Sequence, residues 1–322
     1  MLKTYGALLK EKLEQNGHAR TARAYASAVK SLQQFMKGKD IYLKDIQAQL
    51  IINYENYLIH KGVKLNTISF YMRNLRAIYN RAIQDKLIQP QEESPFTKVF
   101  TGVAESKKRT LEHTELIRLA NIEQLLETYP GQTGCSTPIR PQLYRNLQKA
   151  LYYFLFCYHA RGMSFIDLCF LKKTDIHENT IVYRRKKTGG LLKVRITPPM
   201  AKIIAFFQPQ TETSHYLFPI LGQPATNERK QYETALTRQN VHLQMLSQLA
   251  GLDKKVTTHV SRHTWATLAK RAKVPIPLIS EALGHKDIQT TNRYLASFEV
   301  SVLDELSIQM SGLVPISRSE IS

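Results

Sequence analysis

From Met1 to about Pro90, apolar residues recur at three- and four-residue steps, the period at which side chains return to one face of an α-helix. In the stretch TARAYASAVKSLQQFM this places Tyr25, Val29, Leu32 and Met36 together. In NTISFYMRNLRAIYNRAIQDKLI it places Ile68, Met72, Leu75, Tyr79 and Ile83 on a core face, with Asn66 or Thr67 set to cap the helix N-terminus. The opposite face carries Arg73, Arg76, Arg81 and Lys86, a pattern that suits either a solvated surface or contact with a polyanion. Between about Gln89 and Arg109 the period stops. The segment QPQEESPFTKVFTGVAESKKRT, with its Pro, Gly and Ser, reads as a linker.

Beyond it, TLEHTELIRLANIEQLLETY and LYRNLQKALYYFLFCYHA read as helices, the second apolar nearly all round and therefore central. The period then changes in NTIVYRRKKTGGLLKVRIT. Two strand-like runs flank Thr188, Gly189 and Gly190, and Leu192, Val194 and Ile196 alternate with Lys193 and Arg195, which predicts a half-buried hairpin. Helical spacing resumes up to a polar tail, ISRSEIS. The expected fold is mainly α with a small β-hairpin or sheet, in two domains: a helical domain over 1–95, a linker over 96–109 and a second domain over 110–322.

Charge narrows the function. Lys and Arg number 45 against 26 Asp and Glu, a net +19 over 322 residues, which gathers polyanions and makes their binding salt-dependent. No apolar run is long enough to span a bilayer and no charged-then-apolar leader opens the chain, so a membrane role fits poorly and a cytoplasmic location is expected. Cys135, Cys157 and Cys169 are too few and too scattered for a disulfide framework or a zinc site. Cys157 and Cys169 sit inside apolar runs and read as small core residues.

Candidate chemistry lies in the last quarter, HVSRHTWATLAKRAKVPIPLISEALGHKDIQTTNRYLA, which contains His259, Arg262, His285 and Tyr294. Attack on a phosphodiester is slow because the incoming oxygen meets a negative group and charge builds on the non-bridging oxygens. A guanidinium answers this best, since its planar fork matches two phosphate oxygens, so Arg262 is the expected clamp. His259, one helical turn earlier, projects from the same face, and imidazoles can donate to those oxygens or hold the nucleophile's proton. The Tyr294 phenol can form a phosphotyrosine link that conserves the energy of the broken strand. Such a scheme needs no cofactor or metal, and no carboxylate cluster of metal-binding spacing is present. Taken singly, each residue also has an ordinary structural reading: a helix-surface pair, a C-cap after Gly284, a core tyrosine.

Their order and spacing together resemble the tyrosine recombinases, the phage-integrase family, whose C-terminal block reads His-x-x-Arg-His-Thr, then Leu-Gly-His, then Tyr nine positions on. Here these are HVSRHTWAT, EALGH and Tyr294. The resemblance extends to the two-domain plan. It implies that His259, Arg262 and His285 contact the scissile phosphate, and that Tyr294 yields a 3′-phosphotyrosyl intermediate and a free 5′-hydroxyl. The hairpin lysine that serves the family as general acid matches Lys187 in YRRKKTGG, with Lys186 as the neighbouring alternative.

One family position departs. The first active-site arginine, three residues before an acidic residue, aligns with Ser164 ahead of Asp167, a pair that reads as a capping box. Arg161, from the preceding turn, is the expected replacement, with Arg185 from the hairpin as the other choice and otherwise a DNA contact beside Lys186. Integrases of Bacteroidetes show a similar RGMSFxD segment. The family further implies a C-shaped clamp on double-stranded DNA core sites, with Arg73 and Arg76 touching DNA. It also implies a homo-tetramer in which the last helix docks on a neighbour; residues 297–313 have the apolar face for this, with Val302, Leu306 and Met310. Accessory DNA-bending proteins are compatible with such a system. Because the helical pattern begins within the first residues, no arm-binding domain of the lambda type is expected, which favours an invertase or small mobile-element integrase. The competing reading is a DNA-binding architectural or regulatory protein that keeps the clamp without the chemistry.

Overall fold

In the computed structural model of the chain, the residues described are 1–104, 110–122, 140–222 and 227–285. Tyr294, residues 297–313, Cys135, the later part of the first helix expected in the second domain and the polar tail lie outside them. The chain divides into two compact units, Met1–Lys107 and Lys108–Ser322.

The first unit is built from α1 (Leu2–Gln15), α2 (Ala19–Phe35), α3 (Ala48–His60) and α4 (Leu65–Gln84). Val29 and Leu32 of α2 and Ile68, Met72, Leu75 and Tyr79 of α4 are buried in one cluster with Ile51, Tyr54 and Leu58 of α3. Full burial of each such side chain contributes on the order of 2 kcal/mol. Met36, expected on the same face, falls at the C-cap of α2, and Phe35 packs on the core instead.

The cap expected at Asn66 or Thr67 is not formed. Helix α4 starts at Leu65 behind Lys64 without a side-chain cap. Asn66 instead holds the backbone of Ala104 at both ends of its amide: Nδ2 donates to the carbonyl and Oδ1 accepts from the N–H, each at 2.9 Å. Ser69 Oγ donates to Gly102 O at 2.6 Å, and Glu55 Oε1 accepts from Phe100 N at 2.7 Å. With Phe96 and Val99 buried in the cluster, the stretch 96–104, which reads as linker, is seated on this unit. Periodicity stops there because the stretch is irregular, yet Phe96, Val99 and the backbone polar groups of Phe100, Gly102 and Ala104 still find partners.

In the second unit, α5 (His113–Ala120) precedes α6 (Pro141–His159). As its all-round apolar surface predicts, α6 is central: Tyr153, Phe156 and Cys157 belong to one cluster, Leu147, Leu151 and Phe154 to another. The short α7 (Phe165–Cys169) leads to an antiparallel sheet of β1 (Ile176–His177), β2 (Thr180–Arg184) and β3 (Leu191–Arg195), in that order. Ile181 pairs with Val194 and Tyr183 with Leu192, so the expected alternation holds. Ile196 lies just beyond β3, and β1 is an additional strand that its two-residue length hid from the pattern. Helices α8 (Pro198–Phe207), α9 (Glu228–Leu249), α10 (Thr258–Arg271) and α11 (Ile276–Ala282) complete the described part. Buried Cys157 and Cys169 are free thiols inside the core. No helix among the described residues is long and apolar enough to cross a membrane.

Candidate active site

Helix α10 carries His259 and Arg262, and neighbouring elements fix it at several points. Its first N–H, that of Thr258, donates to Asn240 Oδ1 of α9 at 2.9 Å, because Thr257 supplies no side-chain cap. The adjacent Gln239 ties α9 to α6 through Ala150 O at 2.7 Å. Further along, Thr264 Oγ1 accepts from Leu111 N at 2.9 Å, and Arg271 pairs with Glu112. A helix held at three points along its length presents its side chains in a fixed frame, which is what catalytic geometry demands.

Arg262 is 3% exposed. Its Nη1 donates to Gly162 O at 2.7 Å, and its Nη2 to Leu283 O at 2.5 Å. Nη2 also lies 3.0 Å from His285 Nε2. A guanidinium has only donors, so Nε2 accepts, which makes the imidazole neutral with its proton on Nδ1. Burial, then the charges of Arg262, Arg185, Lys187 and His259, push the His285 pKa down to about 4. His259 is also lowered, first by the protein packed around the ring and then by Arg262, Lys187 and Arg185. Its ring meets His263 edge-on at 4.8 Å.

The close approach behind Arg262 needs glycine. Gly162 has φ +69°, and a Cβ there would sit 3.0 Å from Arg262 Cα and 3.2 Å from Leu283 Cδ2. Gly284, at φ +62°, is tighter, with a Cβ falling 2.8 Å from Arg185 Cδ. That contact shows how near the second guanidinium comes.

Arg185 follows β2, is 6% exposed, and donates from Nη1 to Gly284 O at 2.7 Å. Its Nε lies 3.7 Å from Oδ2 of the buried Asp167. The consecutive carbonyls of Leu283 and Gly284 therefore hold Arg262 and Arg185 respectively, immediately before His285. Arg161 sits elsewhere. It is exposed, adopts φ 55°, donates to Lys193 O at 3.5 Å, and lines a groove with Leu191, Trp265 and Leu278.

Ser164 does stand at the N-cap of α7, but the capping box is not formed. Its hydroxyl donates to Asp167 Oδ2 at 2.5 Å rather than accepting from the helix backbone. The Asp167 carboxylate is occupied by the hairpin instead, accepting from Lys186 N at 2.8 Å. Lys187 is exposed at the β2–β3 turn, and its charge reaches both His259 and His285. Lys186 differs, with Nζ 4.2 Å over the Phe170 ring.

On the first unit, Arg73 is exposed and Arg76 half-buried on α4; Arg73 Nε also donates to Ser69 O at 3.3 Å. A second basic stripe escaped the sequence reading. Arg20, Arg23, Ser27 and Lys30 are exposed at steps of three and four along α2, which packs on α4. The arithmetic that marked α4 would have found it. Asn240 and Gln239 were also missed, and no local pattern signals a cap supplied from another helix. Among the described residues no group of three His, Cys, Asp or Glu side chains is placed to hold a metal ion.

Comparison with known proteins places this arrangement. Residues 2–100 match the phage integrase SAM-like domain and residues 118–300 the phage integrase family. A tyrosine recombinase XerD of Staphylococcus haemolyticus is 24% identical over 287 residues, which span 88% of this chain and 89% of that protein. A tyrosine recombinase XerC of Leptospira interrogans is 24% identical over 290 residues, 88% and 85% of the two chains. The fold is shared with the Tn1549 transposon integrase in complex with transposon right end DNA (TM-score 0.65, 16% identity, 95% and 99% covered). It is also shared with a lambda integrase dimer bound to a COC′ core site (TM-score 0.63, 15% identity, 99% of each covered). With the catalytic family matched over more than half its length, the chain belongs to the phage integrase family, the tyrosine recombinases.

Proposed function

We propose that this protein is a site-specific recombinase that cuts and rejoins duplex DNA through a 3′-phosphotyrosine on Tyr294. The observation that carries the reading is the pair of buried guanidiniums, Arg262 and Arg185, held on consecutive carbonyls beside a neutral His285. Two fixed positive groups in a water-poor site stabilise charge that develops on a phosphate, and they need no reorganisation as it forms. Of the two candidates for the missing first arginine, Arg185 is the clamp, in preference to Arg161, which is exposed and directed to Lys193.

In the forward step the Tyr294 oxygen bonds to phosphorus as its proton passes to one ring nitrogen of His259, the P–O5′ bond breaks, and the departing 5′-oxygen takes a proton from the Lys187 ammonium. His285 donates from Nδ1 and His259 from its ring to the non-bridging oxygens. Rejoining reverses the step: a 5′-hydroxyl attacks the phosphotyrosine and Tyr294 leaves. Guanidinium, imidazole and ammonium groups meet every charge and proton in this scheme, so it calls for no metal ion or cofactor.

The net +19 supplies the encounter with DNA, and the basic stripes of α2 and α4, with Arg73 and Arg76, contact its backbone. Four copies assemble on the recombining cytoplasmic DNA, with residues 297–313 as the docking segment and DNA-bending proteins as helpers. The outcome, integration, excision or inversion, follows from where two core sites lie. A nicked suicide substrate carrying the core site tests the proposal. Wild-type protein should accumulate a covalent complex that Tyr294→Phe does not form; binding without trapping by wild type would leave a DNA-binding protein and overturn the reading.

A further inference from the structure

We infer that Asp167 is a positioning residue for the general acid: by pinning the β2–β3 turn it sets the Lys187 ammonium against the leaving 5′-oxygen. This rests on the reading of Lys187 given above. Lys187 is exposed at the tip of a turn, so packing does not aim its side chain; the backbone beneath it must. That backbone is tied within the hairpin by Arg185 N to Gly190 O at 2.9 Å and Gly189 N to Arg185 O at 2.8 Å. Two contacts attach it to the rest of the unit here: Arg185 Nη1 donates to Gly284 O at 2.7 Å, and Asp167 holds the turn itself. Oδ1 accepts the Lys186 N–H at 2.8 Å, one residue before Lys187, while Oδ2 takes the Ser164 hydroxyl at 2.5 Å and faces Arg185 Nε at 3.7 Å. Asp167 is 3% exposed, and a charge-assisted bond in such a setting is both strong and directional. One side chain thus couples the guanidinium that meets the phosphate to the turn that delivers the proton.

The two consequences separate chemically. A substrate whose scissile 5′-bridging oxygen is replaced by sulfur expels a thiolate, which leaves without a proton. The ratio of single-turnover cleavage rates on the sulfur and oxygen substrates therefore reads proton delivery alone. Lys187→Ala should raise that ratio by about 100-fold, the usual scale of general-acid assistance. Asp167→Ala should raise it by at least about 10-fold through the misplaced lysine, while Arg185→Ala should leave it at the wild-type value although both rates fall. Asp167→Asn keeps an oxygen for the Lys186 N–H and should return the ratio toward wild type. If Asp167→Ala does not fold, Asp167→Leu fills the buried volume without an acceptor and is read in the same way. A wild-type ratio in the Ala and Leu variants, alongside a raised ratio in Lys187→Ala, overturns the inference and leaves the reading of Lys187 intact. A ratio unmoved by Lys187→Ala overturns that reading, and the inference falls with it.

Discussion

Arginines of the two units are held in opposite ways. On α4, Arg73 is exposed and Arg76 half-buried, and on α2 Arg20 and Arg23 are exposed. In the second unit Arg262 and Arg185 are at most 6% exposed, and each donates to main-chain carbonyls. Removing a guanidinium from water is costly unless its N–H groups are matched, so the second arrangement persists only where the fold supplies acceptors at defined points. A mobile surface cation suits a polymer with many equivalent phosphates. A buried, pre-aimed cation suits one phosphate in one geometry. The contrast separates the residues proposed to bind DNA from those proposed to act on it.

Breaking the buried arrangement at its tightest contact should have the largest effect. Gly284→Ala places a methyl 2.8 Å from Arg185 Cδ and 3.0 Å from Leu192 Cδ1 at a left-handed backbone position, so Arg185 or the turn before His285 must shift. Displacement of about 1 Å at a catalytic group costs about 100-fold, and cleavage should fall by that order with DNA affinity nearly kept. Single-turnover cleavage measured beside a binding isotherm checks it. Equal losses in both would erase the contrast between the two kinds of arginine.

On the exposed side, Arg73→Ala should weaken DNA binding several-fold and reduce the salt slope of log affinity by about 1, with the cleavage rate on saturating DNA unchanged. Titrations at several salt concentrations decide this. An unchanged slope would return α4 to the status of a solvated face.

The smallest expected effect is on stability. An unfolded histidine binds its proton near pH 6.5, whereas folded His285 does so only near 4, so between these values unfolding takes up a proton. Stability contributed by the neutral imidazole is therefore complete above about 6.5 and is lost as pH falls toward 4. Melting temperatures from pH 7 to 4.5 should show this slope reduced in His285→Asn and unchanged in Arg73→Ala.

Much of this was readable from residue order, and the limits have physical causes. Helix faces were legible where one side is buried and the other wet, as with Ile68, Met72, Leu75 and Tyr79. The hairpin was legible because its period is two. The expected capping box at Ser164 and Asp167 shows the limit: spacing identified two residues able to bond, but not that the carboxylate would be engaged by Lys186 and Arg185 from far along the chain. Asn66 fails similarly, since its partner Ala104 is 38 residues away. Partners brought in from distant parts of the sequence decide which arginine is buried, and no local pattern records them.

The central claim is that the clamp's second arginine comes from the hairpin. Single-turnover cleavage of a nicked core site by Arg185→Ala and Arg161→Ala, each compared with wild type, tests it most directly. The structure predicts a loss of about 100-fold or more for Arg185→Ala, the scale of removing one transition-state donor, and less than about 3-fold for Arg161→Ala. A large loss at Arg161 with Arg185→Ala near wild type would contradict the account.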